Sequence, residues 1–219
     1  AMYNKVLSEA EVALLYKESA LQYQGDILAK GGGVVNSKGL VGHWNFDQVS
    51  NDGVLSSVDD ISGNGNTGTP SGGTALVNGR FGNAASFDSV DDKVNIGTVA
   101  KYGQENMTIS AWTKLNLELG SNATNYAIFS NESFENSGFI FRIEDTTNAS
   151  TAGKITFRTS QASANTYTTA HSLSYPNDKN WHLVNAVKDG TEVKIYIDGV
   201  EASSYEVENT MATHVDATN

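Results

Sequence analysis

The stretch Trp181-His182-Leu183-Val184-Asn185-Ala186-Val187-Lys188-Asp189-Gly190-Thr191-Glu192-Val193-Lys194-Ile195-Tyr196-Ile197-Asp198-Gly199 decides the fold. Two runs rich in β-branched and aromatic residues flank an Asp-Gly dipeptide, and a second Asp-Gly follows them. Asp-Gly accepts the positive φ of a tight hairpin turn, so the sequence predicts antiparallel strands over Trp181 to Lys188 and Glu192 to Ile197, with turns at Asp189-Gly190 and Asp198-Gly199. Alternation along the second strand puts Val193, Ile195 and Ile197 on a buried face and Lys194 and Tyr196 on the other.

The same kind of pattern recurs toward the N-terminus. Short strands are expected at Ala84 to Phe87, Lys93 to Ile96, Met107 to Leu115, Tyr126 to Phe129, Gly138 to Ile143 and Lys154 to Thr159, most of them separated by turn residues. Leu40 to Phe46 also alternates, which puts Leu40, Gly42, Trp44 and Phe46 on one face and marks Trp44 and Phe46 as core. Many short strands and almost no helix predict an all-β, two-sheet antiparallel sandwich. One helix stands out. Ser8 opens a Ser-x-x-Glu capping box with Glu11, Leu7 and Val12 can staple it, and Val12, Leu15 and Tyr16 make a narrow apolar stripe up to about Glu18. Ten residues do not hold a helix in isolation, so this one must dock. Residues 19–39, with Gly31-Gly32-Gly33 and Gly39, read as a linker between this element (1–18) and the sandwich (40–219).

Bulk properties narrow the function classes. Twenty-five acidic against 14 basic residues give a net charge of −11, which repels phosphate backbones and leaves no basic stripe for nucleic acid. No apolar run approaches the roughly 20 residues of a membrane span, so no membrane insertion is expected. The N-terminal Ala1 to Lys5 lacks the charged and apolar regions of a signal peptide, as expected of a mature fragment. Cysteine is absent, so the apolar core or a bound metal must stabilise the fold. Abundant Asn, Ser, Thr and Gly with only 18% charged residues fit a secreted or cell-surface protein. The sequons at Asn106, Asn122, Asn131 and Asn148 are candidate glycosylation sites.

Several landmarks together are similar to a known family. Leu40 to Asp47, Asp60-Ile61-Ser62-Gly63-Asn64-Gly65-Asn66, Gly79 to Asp88, Val90 to Val94, Met107 to Trp112 and the Trp181 to Ala202 hairpin follow the order and spacing of laminin-G-like domains. These are concanavalin A-like jelly-roll modules of bacterial and archaeal surface proteins. The resemblance covers roughly residues 40–202 and implies a jelly-roll sandwich. It also implies that Trp44 and Trp112 are core residues and that the Asp60 to Asn66 loop helps bind calcium. In that family a segment resembling Tyr3 to Val12 ends the domain, whereas here it comes first. Residues 1–18 are therefore expected to pack on this module as a permuted final element, to belong to a preceding module, or to complete a neighbouring copy.

For Ca²⁺, a hard cation that takes six to eight oxygens, the candidate ligands are Asp60, Asn64 and Asn66, joined by Asp88, Asp91 and Asp92 if the two loops meet; Asp47 is a weaker candidate. The competing reading of the Asp60 loop is a turn closed by its own Asx hydrogen bonds. His43, His171, His182 and His214 lack zinc-ligand spacing, and His182 is expected to find a hydrogen-bonding partner in the sheet. No pair of carboxylates has glycosidase spacing: Glu132 and Glu135 fall in an expected loop, and Glu144 and Asp145 are adjacent. Tyr126, Phe134, Tyr167 and Tyr175, in or beside expected loops, are either sugar-stacking aromatics or packing lids. The sequence thus points to a non-catalytic extracellular module that binds carbohydrate or a surface protein. The alternatives are a filament subunit assembled by exchanging residues 1–18, with neighbouring copies as partners, and an accessory domain of a secreted glycoside hydrolase.

Overall fold

The computed structural model describes residues 1–22, 38–47, 52–99, 106–116, 119, 125–131, 138–145, 153–161, 166–172 and 174–206. In chain order its elements are β1 (Met2–Tyr3), α1 (Glu9–Gln22), β2 (Leu40–Gly42), β3 (Thr69–Ser71), β4 (Ala75–Asn78), β5 (Asn83–Ser86), β6 (Lys93–Asn95) and β7 (Asn106–Thr113). They continue with β8 (Tyr126–Ser130), β9 (Phe139–Glu144), β10 (Lys154–Gln161), β11 (Thr166–Ser172), β12 (His182–Asp189), β13 (Glu192–Ile197), β14 (Val200–Glu201) and β15 (Ser203–Glu206).

Two antiparallel sheets form the sandwich, a six-stranded one ordered β14-β13-β12-β7-β1-β2 and a five-stranded one ordered β15-β11-β10-β9-β8. The pairs β3-β6 and β4-β5 flank them. Met107, Ile109, Val184, Ala186, Val193 and Ile195 of the larger sheet meet Phe139, Phe141, Ile143, Ile155, Phe157 and Ala170 of the smaller in one core. The rings of Phe139 and Phe141 pack edge-on against Phe157 at 6.4 and 5.9 Å, a geometry that aligns ring edges with ring faces.

A second layer covers the other side of the six-stranded sheet. Tyr3, Leu7, Val12 and Leu15 from the N-terminal segment pack on Leu183, Val187 and Tyr196. Tyr196, assigned above to the open face of its strand, is therefore only 4% exposed: the helix supplies a roof that alternation within one strand cannot reveal. The capping box forms as expected. The Ser8 amide donates to Glu11 Oε2 at 2.8 Å, and the Glu11 amide donates to Ser8 Oγ at 3.3 Å. The helix continues to Gln22, four residues into the expected linker. Residues 1–18 pack on their own module, with β1 inserted between β7 and β2.

Three local readings need correction. The strand at Leu40 stops at Gly42. Trp44 packs against the core while its indole N–H donates to the Asn66 carbonyl at 2.7 Å. Phe46, at φ 60°, has left the strand and is only half-buried. The hairpin turn is Gly190-Thr191, since Asp189 still pairs with Glu192. Only its first central residue has positive φ, the signature of a type II′ turn, whereas Asp198 and Gly199 are both positive, as type I′ requires. The strands β3, β4, β11, β14 and β15 were not expected, whereas the resemblance of residues 1–18 to a terminal strand and helix anticipates β1.

One buried group in the roofed layer is at odds with its surroundings. Asn185 is 0% exposed, faces the helix layer between Ser110 and Tyr196 on the adjoining strands, and has neither carboxamide atom hydrogen-bonded. A buried polar group without a partner costs about 1–3 kcal/mol. The nearly isosteric Asn185→Leu is accordingly expected to raise the free energy of unfolding by ~1–3 kcal/mol in chemical denaturation. A loss of stability would show that the carboxamide is satisfied in solution.

Candidate functional site

The expected calcium ligands divide between two places. In the Asp60 to Asn66 loop the carboxylate is already occupied by the chain. Asp60 Oδ1 accepts from the amides of His43 and Ser62, both at 2.9 Å, and Oδ2 from the amide of Asn66 at 2.9 Å. Burial works against its charge, but these amides and the Ser62 side chain outweigh that and lower its pKa to about 2. Asn64 Nδ2 donates to the carbonyls of Leu40 and Val41 at 2.9 and 3.1 Å, and Asn66 Nδ2 to that of Val41 at 2.8 Å. The loop is a clasp that fixes the end of β2. Asp47 plays a similar part: it accepts from the Asn83 amide at 2.9 Å, and a Cβ on Gly82 would collide with its carboxylate.

Asp88, Asp91 and Asp92 do come together, each with a carboxylate oxygen within 4.8 Å of the others, and Asp60 stands outside that group. Asp92 Oδ2 accepts from the Asp88 amide at 2.8 Å, and Asp88 Oδ1 from the Val90 amide at 2.8 Å. Asp92 Oδ1 is enclosed and has no hydrogen-bond partner. The turn rests on bare backbone, since a Cβ at Gly72 would lie 2.7 Å from the Asp91 carbonyl and from Asp92 Cα. An orphaned carboxylate oxygen beside two solvent-facing carboxylates fits a hard cation.

Of the sequons, Asn106 is exposed and its Oδ1 accepts from the Gly190 amide at 3.1 Å. Asn131 accepts from the Phe139 amide at 2.8 Å, and its Nδ2, the atom a glycan would join, is enclosed. Asn122 and Asn148 lie outside the described residues, as do Glu132, Phe134, Glu135 and His214. Tyr175 is 4% exposed, and its hydroxyl donates to the Thr113 carbonyl at 3.3 Å, so it packs as a lid. Tyr126 is half-buried and donates to Asp145 Oδ2 at 3.4 Å.

A polar row on the five-stranded sheet was not anticipated. Because Phe139, Phe141 and Ile143 face the core, Arg142 and Glu144 face outward. The register sets Arg142 beside Thr156 and Arg158 beside Thr169. Arg142 donates to Glu144 Oε1 from Nη2 at 2.9 Å and from Nε at 3.2 Å. The result is a row of guanidinium, carboxylate and hydroxyl groups across three strands.

His182 finds two partners. Nδ1 lies 2.7 Å from Asp198 Oδ2 and Nε2 2.9 Å from Asp178 Oδ1, with Tyr175 packed edge-on at 5.8 Å. Burial favours the neutral ring, but the hydrogen bonds and charges of the two aspartates outweigh it and hold the imidazole above its ordinary value. Its hydrogen bond to His182, then those from Asn180, keep Asp178 well below the usual carboxylate range.

Comparison with known proteins agrees with this architecture. Residues 88–219 match the Laminin_G_3 family model, described as the concanavalin A-like lectin/glucanases superfamily. No curated protein matches the chain. Among solved structures the chain is similar to an S-layer domain-containing protein (residues 221–444) from Clostridium thermocellum ATCC 27405. The two share 22% identity over 80% of this chain and 75% of that one, with a TM-score of 0.42.

The aspartate clamp on His182 makes stability depend on pH. The His182 contribution is complete below the ordinary imidazole value of 6.5 and fades as pH rises through its raised folded value. The Asp178 contribution is complete above the ordinary 3.8 and fades as pH falls through its depressed value. Asp178→Asn should therefore lower the melting temperature more at pH 5.5 than at pH 8.5, and move the His182 titration, followed by NMR, toward 6.5. An equal loss at both pH values would show that the clamp carries no charge coupling.

Proposed function

Because the chain belongs to the concanavalin A-like lectin/glucanases superfamily, we propose that it is a non-catalytic extracellular module that binds carbohydrate on the outward face of its five-stranded sheet. The row formed by Arg142, Glu144, Thr156, Arg158 and Thr169 carries this reading. Sugar hydroxyls both donate and accept, and the partly exposed guanidiniums of Arg142 and Arg158 supply donors to match them, backed by the buried Glu144, Thr156 and Thr169. Arg142 is held by Glu144, so little side-chain freedom remains to be lost on binding.

A non-catalytic role is supported by the acidic groups near that face. Glycoside hydrolysis needs two carboxylates facing one another across the bond, about 5–9.5 Å apart. Glu144 and Asp145 are consecutive and both buried, with Glu144 committed to Arg142. The many uncharged polar residues and few charged ones support an extracellular setting.

Ca²⁺ at Asp88, Asp91 and Asp92 completes the proposal. The ion would supply positive charge that satisfies Asp92 Oδ1 and binds the 88–92 turn together at its seat on Gly72.

Two measurements test these statements. On immobilised polysaccharides, Arg142→Ala and Arg158→Ala should each weaken binding about tenfold, roughly the 1.4 kcal/mol of one charge-assisted hydrogen bond; Arg142→Ala, which leaves the buried Glu144 without its ion-pair partner, should also lower the melting temperature. Retention of a protein ligand with no glycan bound would overturn the carbohydrate assignment. For the cation, Ca²⁺ at a hundredfold excess over its Kd should stabilise the chain by ~2.7 kcal/mol relative to EDTA, and Asp92→Asn should abolish the difference. A melting curve indifferent to EDTA would remove the metal.

A further inference from the structure

The N-terminal segment is held in its sheet by contacts, and its connection to the rest of the chain runs through residues 23–37 alone. β1 lies inside the sheet and not at its edge: Met2 pairs with Gly42 on one side and Ile109 on the other, and Tyr3 with Leu40 and Thr108. Thr108 Oγ1 accepts from the Leu7 amide at 3.1 Å and donates to the Lys5 carbonyl at 2.9 Å. The Asn4 amide donates to the Gly39 carbonyl at 2.8 Å. The helix backbone lies directly on the Gly199 turn, where a Cβ would come within 3.1 Å of Ala13 Cα. Residues 1–22 thus form a contiguous peptide that is strand, capped helix and roof at once. Without it, β7 and β2 would present two unpaired edges to one slot, antiparallel on both sides to any strand that enters.

We propose that this slot and the sheet face beside it also accept residues 1–22 of a second copy of this chain, so that neighbouring copies close one another's sheets. Three observations favour this occupant. Among the described residues, the contacts that hold the segment join residues 1–22 to the body beyond residue 37, so each can be reproduced identically between copies. Residues 23–37, fully extended, span up to ~50 Å, enough to carry the segment to an adjacent molecule. The floor beneath the segment keeps a carboxamide, that of Asn185, which the covering segment leaves without a partner, and which water would satisfy while the slot is empty. Donor segment and accepting slot are different surfaces, so the contact is head-to-tail, and successive copies extend into a ring or an open fibre.

The chain has no cysteine, so introduced thiols report the contact directly. Ala13→Cys on one copy and Gly199→Cys on a differently tagged copy are mixed at high concentration under mild oxidation, and the products are mapped by mass spectrometry. Val200→Cys, on the strand that also touches the helix, replaces Gly199→Cys should its positive φ, +80°, hinder folding. Exchange predicts a disulfide between the two tagged copies whose yield rises with concentration, and a mass by light scattering on the unmodified chain that rises with it. A chain that stays monomeric at millimolar concentration, with no inter-copy bond from residue 13 to either acceptor, overturns the proposal.

Discussion

The structure depends on one constraint: the central strands of the six-stranded sheet must be buried on both faces. From Leu183 to Lys188 every residue of β12 is buried, so alternate side chains go into the inter-sheet core and into the layer under the helix. Val184 and Ala186 go inward, and Leu183 and Val187 go outward. A strand of this kind in an antiparallel sandwich needs a third layer, since an apolar outer face left in water forfeits ~1.5–3 kcal/mol for each large side chain. The N-terminal segment supplies that layer. Its cap, its staple at Leu7 and Val12, and the bare backbone at Gly199 all serve to bring one short helix flat against the sheet.

The outer cover is also fastened at its far side. Trp112, which the family resemblance assigned to the core, lies in this layer, with Tyr16 at 5.8 Å and Phe81 edge-on at 5.5 Å. The Arg80 guanidinium caps both Phe81 and Trp112 at 5.2 and 5.8 Å, a cation–π contact that keeps its charge at the surface while its stem shields the rings. The turn bearing Arg80 and Phe81 is held by Asp47 through the Asn83 amide. A carboxylate that resembled a metal ligand therefore helps to seat an aromatic cluster on the sheet.

Legibility in the sequence followed the range of the interactions involved. The β12-β13 hairpin, the capping box and the alternating strands of the core were readable because each is specified by residues a few positions apart. β11 was missed because Thr166 to Ser172 is almost wholly Thr, Ala, His and Ser, and its inward residue Ala170 is too small to mark a face. β1 was legible only through the family resemblance of residues 1–18, because two residues cannot show a period. The fate of Asp60 was half legible: the Asx turn to the Ser62 amide was one of its two readings, but the long-range donors were not. Its oxygens are claimed by the amides of His43, Ser62 and Asn66, and which donors reach a carboxylate is decided only when β2 and the loop come together.

The two acidic loops show how that difference separates a satisfied carboxylate from an unsatisfied one. Both are short and rich in Asp, and composition does not tell them apart. Around Asp60 the backbone supplies the donors, three amides to two oxygens, so the carboxylate is satisfied and its proton affinity falls. Around Asp92 the backbone supplies one donor, to Oδ2, and closes over Oδ1 without giving it another. The turn sits directly on Gly72, where any Cβ would collide with the Asp91 carbonyl and Asp92 Cα. The charge left unsatisfied at Asp92 is thus a product of the packing around it, and it is this deficit, more than the number of acidic residues, that separates the 88–92 turn from the Asp60 clasp.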